Sequence, residues 1–182
     1  MGENVDRGVE AGVDCAQLAR AANGKATVPG RARGCMPEMS RSDIAEDLRL
    51  ARSTLRARDA SVVSVRGGAV RGIAHGAGLR PLLQLLDDGA VPPGCAVADR
   101  IVGLAAAKLM AAAGVVAVWS PLGSALAADW LARAGVVFEV ERQVPIILGP
   151  GGRGECPMER LARTTDDIRA GLAALRDAPA GR

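Results

Sequence analysis

Ile101-Val-Gly-Leu-Ala-Ala-Ala-Lys-Leu-Met-Ala-Ala-Ala-Gly114-Val-Val-Ala-Val-Trp119 and Ser124-Ala-Leu-Ala-Ala-Asp-Trp-Leu-Ala-Arg-Ala-Gly135-Val-Val-Phe-Glu-Val140 are two copies of one pattern. Ala and Leu carry little entropic cost in a helix, so Ile101 to Ala113 and Ser124 to Ala134 are predicted helical. Gly114 and Gly135 suit the left-handed cap that ends such helices. The β-branched residues that follow, Val115 to Trp119 and Val136 to Val140, favour strands. Short strands alternating with helices of about a dozen residues indicate parallel βαβ units.

Outward from this core, Cys95 to Ala98 reads as a further apolar strand that ends at Asp99-Arg100. Gly78-Leu79-Arg80-Pro81 leads into a short leucine-rich helix, closed by Asp87-Asp88-Gly89. Ser61 to Arg66 and Ala69 to Ala74 flank Gly67-Gly68, a two-residue hairpin signal. Ahead of them, Ile44, Leu48, Ala51 and Leu55 form a helical stripe that starts at the N-cap pair Ser42-Asp43. Arg49, Arg52 and Arg56 line another side of that helix and read as a solvated row. The order predicts an α/β fold: a three-layer α/β/α sandwich with a mixed five-stranded sheet, its first hairpin antiparallel and the rest parallel.

The predicted domain spans residues 42–176, between flexible tails at 1–41 and 177–182, the first with a short helix near Val13 to Ala22. The chain has 182 residues, enough for one real core. Aromatic residues make up only 2% of it, so the core must be aliphatic and base-stacking platforms are scarce. With a net charge of +3 as well, a nucleic-acid partner is not expected. The run Leu109 to Trp119 is far short of the ~20 residues that cross a bilayer, and no apolar leader opens the chain. A cytoplasmic, reducing setting follows as the expectation, without a membrane partner. Cys15, Cys35, Cys95 and Cys156 show no ligand spacing, so no metal and no cofactor are expected.

One cysteine stands apart. In Gly154-Glu155-Cys156-Pro157-Met158-Glu159, Pro157 suits the first position of a helix. Cys156 would then face the free N–H groups and the positive dipole end at the helix mouth, which lowers a thiol pKa and favours anions.

Several stretches resemble the bacterial and archaeal family called domain of unknown function 1893. They are Gly78 to Leu83, Ala96 to Gly103, Val144 to Leu148 and Gly154 to Glu159, in order, within a likeness from about Asp43 to Leu161. The resemblance implies a cytidine-deaminase-like fold and says little of function. Zinc deaminases carry H-x-E and P-C-x-x-C at two helix starts. Here those regions read His75-Gly76-Ala77-Gly78 and Val97-Ala98-Asp99-Arg100, so the zinc motif is absent. The family usually has Lys at the positions of Arg100 and Leu104, and Arg does not readily lose a proton.

In parallel sheets, ligands settle beyond the carboxyl ends of the strands. Asp99, Arg100, Ser120 and Glu141 fall at such ends, and the Cys156 helix can fold back over them. Cys156, Asp99 and Glu159 are therefore the candidate catalytic residues, with Arg100, Ser120 and Arg80 as ligand-binding ones. Each has a plainer role: Asp99 as cap of the helix from Ile101, Glu159 in a capping box, Cys156 as packing, His75 as an exposed loop residue. Three functions stay open on this basis. One is binding of a small anionic or nucleotide-like ligand; the others are Cys156-dependent group transfer and a non-catalytic homodimer using a sheet edge or helix face.

Overall fold

The computed structural model of the protein describes residues 40–177. The expected tails, the short helix near Val13 to Ala22, Cys15 and Cys35 lie outside them, apart from the residues where each tail meets the domain.

Helix α1 (Arg41–Ala57) starts one residue after Ser40 rather than at Ser42-Asp43. Ser40 Oγ accepts from the Asp43 N–H at 3.2 Å, and the Asp43 carboxylate accepts from the Ser40 N–H at 3.1 Å. This reciprocal box needs a carboxylate three residues after the cap, and Ser42 has Ala45 there. Asp47 is buried and does more than decorate the first turns. Its two oxygens accept from the N–H groups of Gly67 and Gly68, both at 2.7 Å. Those glycines sit at φ +61° and +72°, a conformation that favours glycine, and they join β1 (Val62–Arg66) to β2 (Ala69–Ala74).

After α2 (Arg80–Asp87) come β3 (Ala96–Asp99), α3 (Leu104–Ala112), β4 (Ala117–Ser124), α4 (Ala125–Arg133) and β5 (Val137–Val144). A 3-10 turn at Pro150–Gly152 then leads to α5 (Pro157–Thr164) and α6 (Ile168–Asp177). The five strands form one mixed sheet in the order β2-β1-β3-β4-β5. β1 is antiparallel to β2 and β3, while β3, β4 and β5 run parallel, as the repeated unit predicted.

Side-chain alternation divides the core. Val63, Val65, Ala96, Ala98, Ala117 and Trp119 pack with Leu48, Ala51 and Leu55 of α1. On the opposite face, Val62, Val97 and Val118 pack with residues of α2, α3, α4 and α5. Among the described residues no helix is long and apolar enough to cross a membrane.

Two element boundaries differ from the sequence reading, and both bear on the site. Helix α3 begins at Leu104, not Ile101, because Val102 makes an isolated parallel bridge to Gly123. The Val102 N–H donates to the Leu122 carbonyl at 2.9 Å, and the Ser124 N–H donates to the Val102 carbonyl at 3.0 Å. β4 and β5 also run on, past Trp119 to Ser124 and past Val140 to Val144. Pro121 offers no N–H to the ladder, and Ser120 spans it instead. Its Oγ accepts from the Leu122 N–H at 3.2 Å and donates to the Leu122 carbonyl at 2.7 Å. At Gly123 a Cβ would lie 2.6 Å from Phe138 Cζ, so glycine leaves room for the Phe138 ring over the paired strands, and any larger residue would make the ring shift.

Candidate functional site

The carboxyl end of β3 holds Asp99, a carboxyl that is 8% exposed. Its partner across the antiparallel pair is Val62, and residues directly opposite in such a pair share a face. Val62 belongs to the cluster with Leu82 and Leu104, so Asp99 lies on the α2 and α3 side of the sheet. Oδ1 accepts from the Ile101 N–H at 3.1 Å. This is a side-chain turn that ends the strand, and not the predicted helix cap, since Ile101 belongs to no helix and α3 starts later. Oδ2 makes no protein hydrogen bond among the described residues, and it is not among the buried atoms left without a partner, which are Trp130 Nε1 and Glu155 Oε1. Burial pushes the carboxyl up to about 7, and the Ile101 N–H only partly offsets it.

Arg100 points elsewhere. Its guanidinium donates to the carbonyls of Ala60 at 2.8 Å and Asp59 at 2.6 Å and pairs with the Asp59 carboxylate. It thereby binds the end of α1, where Asp59 takes a left-handed φ of +47°. Ser120 is fully buried with its hydroxyl engaged at Leu122, as described above. Arg80 opens α2 and lines a cleft of about 460 Å³ with Asp87, Arg169 and Leu172, in which Asp99 has no part. The ligand-binding trio of the sequence reading is thus dispersed over three places.

Glu159 is 1% exposed and acts on the backbone. Oε2 accepts from the Leu104 N–H at 2.5 Å and Oε1 from the Ile147 N–H at 3.3 Å. It therefore caps α3, whose own N-cap, Gly103, has no side chain to offer, rather than its own helix. The reverse contact comes from Lys108. Its ammonium donates to the carbonyls of Ala162 at 2.7 Å and Thr165 at 3.0 Å, at the end of α5, and to Asp166 at 2.6 Å. The Trp130 ring centre lies 4.4 Å away. Helices α3 and α5 thus cap each other, α5 at the first turn of α3 and α3 at the last turn of α5. The sequence reading missed Lys108, although one lysine inside Leu-Ala-Ala-Ala-Lys-Leu-Met-Ala-Ala is a visible signal.

Cys156 is the N-cap of α5, as Pro157 suggested, and makes no side-chain capping bond. Its N–H donates to the Ile147 carbonyl at 2.9 Å. None of its bonds reaches Asp99 or Arg100 among the described residues. The thiol is partly accessible, whereas Cys95 is fully enclosed in the sheet and burial pushes it up to about 12. Iodoacetamide at pH 8 is expected to label Cys156 in the native protein and Cys95 only in denaturant, read by mass spectrometry of each peptide. Equal protection of both thiols would place Cys156 in the core.

His75 is exposed beside Gly76, which Ser61 holds by two bonds: its Oγ donates to the Gly76 carbonyl at 2.7 Å and accepts from the Gly76 N–H at 3.0 Å. The arginine row is not merely solvated. Arg52 and Arg56 both donate to Glu141 Oε1, at 3.0 and 2.6 Å, and stack over Trp119 at 5.0 and 5.1 Å. They roof an indole that is 2% exposed and tie α1 to the edge strand.

The family model described as Domain of unknown function (DUF1893) matches residues 50–178. A DUF1893 family protein from Thermotoga maritima, known from its crystal structure, is similar with a TM-score of 0.66 and 22% identity. The match covers 81% of this chain and 98% of that one, and likeness at such identity concerns the fold alone. No curated protein matches the chain.

Proposed function

We infer that this chain, which belongs to the DUF1893 family, binds a small ligand at the carboxyl ends of its parallel strands. The frame, in this reading, is a cytidine-deaminase-like three-layer α/β/α sandwich that works without the zinc motif. Support for the frame comes from the strand order and from the two apolar clusters, one on each face of the sheet.

The observation that carries the ligand reading is Asp99. A carboxyl this buried, with one backbone donor and no counter-charge, weakens the fold whenever it ionises. Groups kept at such a cost are characteristic of sites, where stability is traded for chemistry. Its position is also the place where parallel sheets take ligands. The other candidates have structural roles that account for them: Arg100 at the end of α1, Ser120 across Pro121, Glu159 at the start of α3. An anionic group on a nucleotide-like ligand would have to fall outside, at the half-exposed edge of Arg100. A reducing, cytoplasmic setting suits Cys95 and Cys156, which stand as free thiols.

A thermal-shift screen of nucleosides, nucleotides and sugar phosphates tests the reading, because a ligand that binds only the native state raises the melting temperature. We expect at least one class to do so in the native chain, and the shift to vanish in Asp99→Asn. A screen without hits, together with a tight dimer in solution, would favour a non-catalytic interaction protein instead.

A further inference from the structure

We propose that β5 is the contact edge of a symmetric homodimer: the strand pairs antiparallel with β5 of a second copy, Val140 opposite Val140. The proposal stands apart from the strand-end reading, since it uses neither Asp99 nor Arg100. The sheet order leaves two strands with an open side, β2 and β5. β2 is a poor template, with six residues, Gly72 among them, and a bulge where Arg71 has no partner on β1. β5 runs for eight residues in constant register with β4. Such an open strand presents a row of N–H and C=O groups to another chain.

Backbone phase and charge set the register. The Val137 N–H donates inward to the Val116 carbonyl at 3.0 Å, so alternation turns the backbone groups of Phe138, Val140 and Arg142 outward. A two-fold axis keeps every side chain on its own face of the sheet, so one residue must meet its own copy. Centring on Val140 lets those three residues bond their counterparts and sets Glu139 of each copy opposite Glu141 of the other. Glu141 is not a lone negative charge. Arg52 and Arg56 both hold its Oε1, at 3.0 and 2.6 Å, and the cluster carries a net positive charge. Glu139 lies on the same face, opposite Trp119 in the ladder, is exposed, and makes no ion pair among the described residues. Each copy thus offers a free carboxylate to the spare positive charge of the other, twice by symmetry. On the other face Arg142, also exposed and unpaired among the described residues, meets the Phe138 ring of the second copy. Centring on Glu139 or Arg142 would set like charges face to face, and centring on Glu141 would bring the two arginine pairs together.

Sedimentation equilibrium of the full chain, from about 1 to 300 μM, is expected to show a reversible dimer. Val140→Pro removes an outward N–H that the ladder with β4 does not use, a change sheets tolerate at an edge. It should leave the circular dichroism spectrum unchanged and abolish the dimer. Glu139→Lys alters an exposed side chain and sets a third cation against Arg52 and Arg56 at two symmetric places. It should raise the dissociation constant roughly tenfold or more, while Glu139→Asp stays close to the native chain. If Val140→Pro fails to fold, the Glu139 variants decide alone. A native chain that stays monomeric over this range overturns the proposal. A dimer as tight in Glu139→Lys as in the native chain overturns the register, and a dimer that survives in folded Val140→Pro overturns the β5 edge altogether.

Discussion

Asp99→Asn is expected to raise the melting temperature at pH 8 and above and to leave it nearly unchanged near pH 4. In the fold the Asp99 carboxyl is pushed up to about 7 from an ordinary value of 3.8. The unfolded chain therefore releases its proton at lower pH than the native one does. Stability is full below about pH 4, falls as pH rises toward 7, and then stays at its lower level. That rise corresponds to roughly 4 kcal/mol at most, and relaxation of the site makes about 2–4 kcal/mol the expected loss. Asparagine keeps an acceptor for the Ile101 N–H and never ionises, so it escapes the loss. In a domain of this size the gain amounts to roughly 10 °C. Melts of both proteins from pH 4 to pH 9 decide the matter: a difference that does not grow with pH would mean that Asp99 does not titrate as its burial requires.

The largest destabilisation is expected from Glu159→Ala, about 3–5 kcal/mol. The change strips two N–H groups, Leu104 and Ile147, of their acceptor. It also uncaps α3 and leaves a cavity where a 1% exposed side chain stood. Glu159→Gln keeps the volume and one acceptor oxygen, so it should cost about half as much. Lys108→Ala releases the other end of the same helix pair, and its effect should not add to that of Glu159→Ala, since one broken contact already loosens α5 from α3. Urea unfolding of the three single variants and the double measures this coupling. A cost below about 1 kcal/mol for Glu159→Ala would return Glu159 to the list of free, reactive groups.

Local signals carried most of the fold. The Ala-rich helices closed by Gly114 and Gly135, the Gly67-Gly68 hairpin and the Pro157 helix start are governed by bonds between residues a few positions apart. Composition and spacing report such bonds directly. The boundaries that moved did so for tertiary reasons: Val102 was drawn out of α3 by its bridge to Gly123, and β4 continued through Pro121 because Ser120 and Gly123 made room for it.

The candidate site was legible only in part. The sequence by itself determined that Asp99 ends a strand of a parallel pair and that Cys156 stands at a helix mouth, because both follow from the order of elements along the chain. Only the tertiary structure decided what the charged groups do. Glu159 meets Leu104 across 55 residues, Lys108 meets Ala162 across 54, and Arg100 meets Asp59 across 41. Partners so distant leave no period in the sequence, since each depends on how two packed elements come to lie beside each other. The burial of Asp99 has the same origin: strand alternation puts its side chain on one face, but only the helices packed on that face take it out of water and raise its pKa.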